Sequence, residues 1–288
     1  MKASAFAPGH ISGFFEPVYD NADIYRSGSC GSGITSTLGA KSEIDVKPST
    51  KQYIDVLINN KPSNAPVSKL AIKHLIGDTP LQIQVKTTID LPMQQGFGMS
   101  AAGSLSATYA LTKILDIPKE NAIKASHCAE IELSTGLGDT IACSFGGIEI
   151  RRKAGLPPWG VIEHIPGKYE IVLCVIGEQI NTRNILQDKT LMNKITEYGR
   201  YCTKKILEKP SVDNLLTLSQ LFTKKTNLAS TKVLDAIETA NKHGMTSMCM
   251  LGNSVFSIGD TTNLCKVLSP FGKLFVCTVD QCGARILD

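Results

Sequence analysis

Pro92-Met-Gln-Gln-Gly-Phe-Gly-Met-Ser-Ala-Ala-Gly-Ser104 is a glycine-rich loop that runs straight into a helix. From Gly98 onward, Ala101, Leu105, Thr108, Leu111 and Leu115 recur at steps of three or four, and Asp116-Ile-Pro118 stops the run. Small residues let an anion approach the backbone, and the free N–H groups and dipole of a helix start favour negative charge there. The stretch therefore predicts an anion site. Other readings compete with it. Gly98-x4-Gly103 has the glycine spacing of a Walker loop, but Ser104 and Leu105 stand where Lys and Ser/Thr belong, so the charge that holds terminal phosphates is missing. Gly96-x-Gly98-x-x-Ala101 matches a dinucleotide fingerprint, yet that fold needs a following strand that ends in an acidic residue, and here Asp116-Ile-Pro118 leads into another helix. A glycine-rich helix entry used only for close packing is the remaining alternative.

On the amino-terminal side of the loop, Ala3 to Phe6, Gln52 to Ile58 and Leu81 to Thr88 read as strands, punctuated by Gly28-Ser-Cys-Gly-Ser-Gly33, and Val67 to Ile76 has helical spacing. On its carboxyl side a helix is expected from Pro118 to about Glu132. Ser134 to Gly147 reads as a loop entering a small-residue helix, and Ile148 to Arg151 as a strand. Pro157-Pro158 and Pro166-Gly167 bracket a change in texture, which places a lobe boundary near residue 165 and predicts lobes over 1–165 and 166–288. Beyond it, Ile171 to Ile176, Val255 to Ile258 and Leu274 to Val279 read as strands, and residues 190 to 243 as three or so amphipathic helices. Strands and helices mix without regular alternation and without an internal repeat, which predicts an α+β fold.

The chain has 288 residues, 42% of them hydrophobic and 19% charged, with no low-complexity block, so an ordered globule with real cores is expected. The uncharged run from Leu91 to Thr112 carries Gln94, Gln95 and several glycines and hydroxyls and is not a membrane helix. Near the start, Lys2 and a short apolar stretch broken by Pro8 and Gly9 resemble neither a signal nor a transit peptide, and a cytoplasmic address is the expectation. The nine cysteines include no Cys-x-x-Cys pair and read as buried packing in a reducing compartment. A net charge of +4 without a basic stripe, and 6% aromatics, argue against nucleic acid as a partner and leave small anions.

Pro92-x3-Gly96-Phe-Gly98-x-Ser100-Ala101-Ala102 resembles the phosphate loop of the GHMP kinase superfamily. Ala7-Pro8-Gly9-His10 resembles that superfamily's first motif, and Gly136-Leu-Gly-Asp139 followed by Gly146-Gly147 resembles the segment that brings its catalytic aspartate. Within the superfamily the archaeal pantoate kinases are most similar, through Ala7 to Phe15, Gly28 to Ile34, Gly96 to Ser100, Glu130 to Asp139, Gly146-Gly147-x3-Arg151 and Met250 to Phe256. Two departures stand out. His10 sits where many members have Lys or Arg, and Met250-Leu-Gly-Asn-Ser254 replaces the usual glycine-rich third motif.

The resemblance implies a two-lobed fold, a homodimer and an ATP-dependent kinase that phosphorylates the primary hydroxyl of pantoate, or another small alcohol such as homoserine or mevalonate. A non-catalytic ligand-binding relative is the alternative from another class. Phosphoryl transfer needs neutralised phosphates, a divalent metal and an oriented hydroxyl. The backbone of Gly96, Phe97, Gly98, Met99, Ser100, Ala101 and Ala102 would hold ATP. Ser100 and Glu130 would hold Mg²⁺, with Glu132 as the rival acid on another helix face. Asp139 would act on the substrate hydroxyl, or cap the helix it precedes. His10 would keep that carboxylate ionised. Arg151 and Arg152 point to opposite faces of a strand, so one at most faces the site; Arg151 would bind the carboxylate of the hydroxy acid, with Arg26 or His10 in reserve.

Overall fold

The computed structural model describes residues 1–179 and 188–287. Its amino-terminal part is built on an eight-stranded sheet. Seven of these strands are β1 (Lys2–Val18), β2 (Gly28–Pro48), β3 (Tyr53–Ile58), β4 (Lys61–Ser63), β5 (Leu81–Ile89), β6 (Ile148–Lys153) and β7 (Val161–Ile165), and the eighth is β12 (Arg285–Leu287). Their order is β12-β1-β2-β5-β3-β4, with β6 joining β2 to β7. Only β3 and β5 run parallel. In β5 the inward residues Ile83, Val85 and Thr87 are buried and the intervening Gln82, Gln84 and Lys86 are exposed, the alternation of a sheet with one face on a core.

Helices α2 (Met99–Leu115) and α4 (Asp139–Phe145) pack against this sheet, and α1 (Pro66–Ile76) and α3 (Lys119–Leu133) pack against α2 and each other. Residues 101–112 of α2 are all buried, and its Ala, Gly and Ser positions let it lie close against β1 and β2. The hydroxyls that come with small size are satisfied: Ser106 bonds Ser42 at 2.7 Å and Thr108 bonds Ser126 at 2.9 Å.

The second sheet is four-stranded and antiparallel, in the order β11 (Lys273–Thr278), β8 (Glu170–Val175), β10 (Ser254–Gly259) and β9 (Gly244–Met248). Helices α6 (Val212–Thr226), α7 (Thr231–Ala240) and α8 (Thr261–Leu268) pack on it, and α5 (Lys189–Glu208) lies against α6 and against β1 and β2 of the first sheet. Asp188 and Ser211 cap α5 and α6 through side-chain oxygens. Phe15 of β1 meets Phe222 of α6 with ring centroids 6.0 Å apart, so one core runs between the sheets. The α+β expectation holds.

The strands at the amino terminus are longer than the sequence reading had them. β1 continues through Pro8 and Gly9 because a register shift between them absorbs the residue that cannot donate a hydrogen bond. The glycines of 28–33 lie inside β2 rather than between elements. All nine cysteines are free thiols, and Cys282 departs from the expected burial by being exposed. No described helix is long and apolar enough to cross a membrane.

Candidate active site

A cavity of about 400 Å³ lies between the phosphate loop, α1, the 134–138 turn and the turn after β9. Gly98 takes φ 61°, a left-handed value that glycine adopts without penalty, and so turns the loop into α2. The α2 ladder begins with the Ala102 amide on the Gly98 carbonyl at 2.9 Å, leaving the amides ahead of it free to meet an anion. The loop is clamped from both sides. The His10 amide donates to the Phe97 carbonyl at 3.0 Å, and Ser254 Oγ donates to the Gln95 carbonyl at 2.6 Å. A Cβ on Gly96 would lie 2.8 Å from the carbonyls of Cys249 and Met250. The variant Met250–Ser254 segment is thus a bed for the phosphate loop, and Met250 and Leu251 also line the cavity.

Among the described residues Asp139 is the only charged side chain that lines the cavity. It opens α4 but does not cap it: Gly138 is the cap residue and no side-chain bond is made to the helix end. Its Oδ1 instead lies 2.6 Å from His10 Nδ1, and with 29% of its side chain exposed it remains open to the cavity. Burial works against its charge, but the bond to His10 and the charges of His10 and Arg151 outweigh burial and hold the carboxyl below its ordinary value. Burial likewise opposes a charge on His10, yet Glu149 and Asp139 together raise it to about 9. Asp139 is therefore an ionised acceptor beside an imidazolium.

Glu130 faces inward from α3, 2% exposed, while Glu132 is on the surface beside His74. Thr140 Oγ1 donates to Glu130 Oε2 at 2.7 Å, and Oε1 is buried without a partner. A Cβ on Gly136 would come within 2.7 Å of that oxygen, so the glycine keeps a small space open there. Burial and the charge of Asp139 push Glu130 up to about 8. Among the described residues no group of three or more His, Cys, Asp or Glu is arranged to hold a metal. An orphaned carboxylate oxygen and the Ser100 hydroxyl in the cavity wall fit an ion that takes most of its ligands from phosphates and water, as Mg²⁺ does.

The paired arginines separate as strand geometry requires: Arg152 is exposed and pairs with Glu163, and Arg151 is 3% exposed. Arg151 Nη1 donates to Glu149 Oε1, while Nε and Nη2 have no partner. Arg151 lines a small recess that shares Ser29, Leu137 and Gly138 with the main cavity. Arg26 lies outside both, exposed, paired with Asp23 and stacked on Trp159 at 4.3 Å.

Two residues escaped the sequence reading. Glu149, in a stretch read only as a strand, is wholly buried against His10 and Arg151. His127 stands three residues before Glu130 on α3, buried, with Nε2 unpartnered. Burial lowers its pKa despite the Ile24 and Ser27 carbonyls that face its ring. The i, i+3 spacing of His127 and Glu130 was the available signal.

Residues 66–147 match the GHMP kinases N terminal domain. The pantoate kinase of Methanocaldococcus jannaschii is 31% identical over 95% of this chain and 99% of its own length. That of Methanospirillum hungatei is 30% identical over 99% of this chain and 96% of its own. A solved structure described as a phosphotransferase related to the CoA biosynthesis pathway superposes with a TM-score of 0.91 at 26% identity, covering 100% of this chain and 99% of that one. An amide-lined loop at a helix start, facing an ionised aspartate across a cavity, is the arrangement such kinases need, and on these similarities the chain belongs to the pantoate kinase family of the GHMP kinases.

Proposed function

We propose that this chain transfers the γ-phosphoryl group of ATP to the primary hydroxyl of pantoate, giving 4-phosphopantoate and ADP, as the closing step of a site centred on Asp139. The observation that carries the reading is that carboxylate, held ionised by His10 and open to the cavity opposite the α2 amides. The hydroxyl oxygen attacks the γ-phosphorus, its proton goes to Asp139, and the bond to the β-phosphate oxygen breaks. The amides from Gly96 to Ala101 bind the phosphates, the Ala102 amide being held by the Gly98 carbonyl. Mg²⁺, held by Ser100 and Glu130, would neutralise phosphate charge, which matters because no basic side chain lines the cavity among the described residues.

Ile58, Pro66, Val67, Ile89 and Met93 form an apolar end of the cavity suited to the adenine ring. Phe15, Leu137, Met250 and Leu251, also in the lining, offer apolar surface to the two methyl groups of pantoate. Arg151, through its two free donors, binds the carboxylate beyond Ser29 and Gly138. The protein works as a cytoplasmic homodimer whose lobes divide near residue 165.

ADP release, coupled to a reporter and measured with pantoate, homoserine, mevalonate and shikimate in parallel, tests the reading. Pantoate is expected to exceed the others by orders of magnitude and to require Mg²⁺. Equal turnover of homoserine or mevalonate, or none of pantoate, overturns it.

A further inference from the structure

Glu149 does not line the main cavity, yet it is a carboxylate with no exposure to water, an arrangement that is unfavourable unless partners compensate. Its Oε1 takes both partners: His10 Nε2 at 3.1 Å and Arg151 Nη1. These two cations are themselves 3.4 Å apart, a spacing that only a shared carboxylate makes favourable. With Asp139 they form an alternating row, Asp139, His10, Glu149, Arg151, whose charges cancel.

The backbone is shaped for this row. Glu149 and Arg151 sit two apart on β6 and register with Gly33 and Gly31 of β2. A Cβ on Gly33 would collide with His10 Nε2, and one on Gly31 would approach Arg151 Nη2 to 3.1 Å. The alternate glycines clear a lane across the sheet for three long polar side chains. Ser32 Oγ, between them, fixes the Glu149 carbonyl at 2.6 Å.

We propose that Glu149 is a positioning residue: its single oxygen fixes His10 against Asp139 and Arg151 toward the substrate's carboxylate, tying the phosphoryl-acceptor side of the site to the carboxylate side. The proposal rests on the roles given above to Asp139 and Arg151. The groups that face His10 are Asp139 from α4, Glu149 and Arg151 from β6, and Glu130 from α3 at longer range. Of the two carboxylates bonded to His10, Glu149 is the one that can be neutralised without touching the cavity.

The test uses the full chain labelled with ¹⁵N-histidine, with His10 assigned by its loss in His10→Asn, together with steady-state kinetics. In the ligand-free wild type the His10 ring should stay doubly protonated to about pH 9. In Glu149→Gln it should lose its second proton at clearly lower pH than in the wild type, KM for pantoate should rise at least about tenfold, and KM for ATP should stay within about twofold. A purely structural Glu149 would lower the melting temperature and leave both the ring titration and the pantoate KM in place, which overturns the proposal. A moved titration with an unchanged pantoate KM removes Arg151 from the arrangement and overturns it as well. If Glu149→Gln fails to fold, the wild-type titration decides: a His10 ring already neutral at pH 7 refutes the hold of Glu149. Because that titration needs no substrate, it stands even if the wild type does not turn over pantoate, an outcome that would refute the proposed function separately.

Discussion

Replacing Asp139 by Asn removes one charge and leaves most of the geometry. The amide oxygen of Asn can still accept from His10 Nδ1, now 2.6 Å from the carboxylate, and α4 loses no cap because Asp139 makes none. Fold and cavity shape should therefore survive, and the loss should fall on the group that takes the hydroxyl proton. General-base groups of this kind contribute about 10²-fold to 10⁴-fold, or about 2.7 to 5.4 kcal/mol of barrier. The structure also fixes what should not be lost. The charge of Asp139 is, after burial, the main influence that keeps Glu130 from ionising, so its removal eases ionisation of Glu130. ATP with Mg²⁺ should bind the variant as tightly as the wild type, or more tightly. Single-turnover phosphorylation of pantoate would measure the first effect, and titration with a fluorescent ATP analogue in Mg²⁺ the second. A folded variant with near wild-type kcat refutes the role of Asp139 in proton transfer. A large loss of nucleotide affinity with kcat preserved would instead make Asp139 part of the phosphate site.

Arg151→Met should raise KM for pantoate by roughly 30-fold to several thousandfold, the range for leaving one member of a buried charge pair unpaired, with kcat changed far less because the carboxylate is remote from the transferred group; a raised KM for ATP with pantoate unaffected would move the arginine to the nucleotide. Glu130→Gln should increase the Mg²⁺ concentration needed for half-maximal rate by about tenfold or more, measured at saturating ATP and pantoate, and an unchanged Mg²⁺ curve would remove Glu130 from the metal. His10 gains protons on folding, with its pKa raised from 6.5 to about 9, so its stabilisation is complete below pH 6.5 and is lost as pH rises through about 9. The melting temperature of the ligand-free protein should fall by a few degrees across that window, by calorimetry, and the fall should be smaller in His10→Asn; equal falls in both would refute the assignment.

The legible parts of the fold share a physical cause: local spacing that one face of one element must satisfy. The helix from Gly98 to Leu115 was readable because its glycine entry and apolar steps are both local, and α3, β5, β8, β10 and β11 were readable for the same reason. The extent of β1 and β2 was not, since Pro8, Gly9 and the glycines of 28–33 signal interruption in isolation and are tolerated only where a bulge and crowding side chains from β6 and β1 explain them. The alternation on β6 said that Arg151 and Arg152 part company, but not that Arg151 would be the buried one. Glu130 and Glu132 were told apart by helix geometry, and the side each faces was set by α1, whose His74 meets Glu132.

The sequence by itself determined the glycine-rich loop, the helix behind it and the α+β class, because each of these is a property of neighbours in the chain, whereas the candidate kinase residues came from the resemblance of its motifs. Only the tertiary structure decided which charges meet. His10 lies 129 residues from Asp139 and 139 residues from Glu149, and no periodicity links them. Their contact follows from β1, β2 and β6 lying side by side with glycines at the crossing points, and the charge state of each follows from that contact and from the exclusion of water.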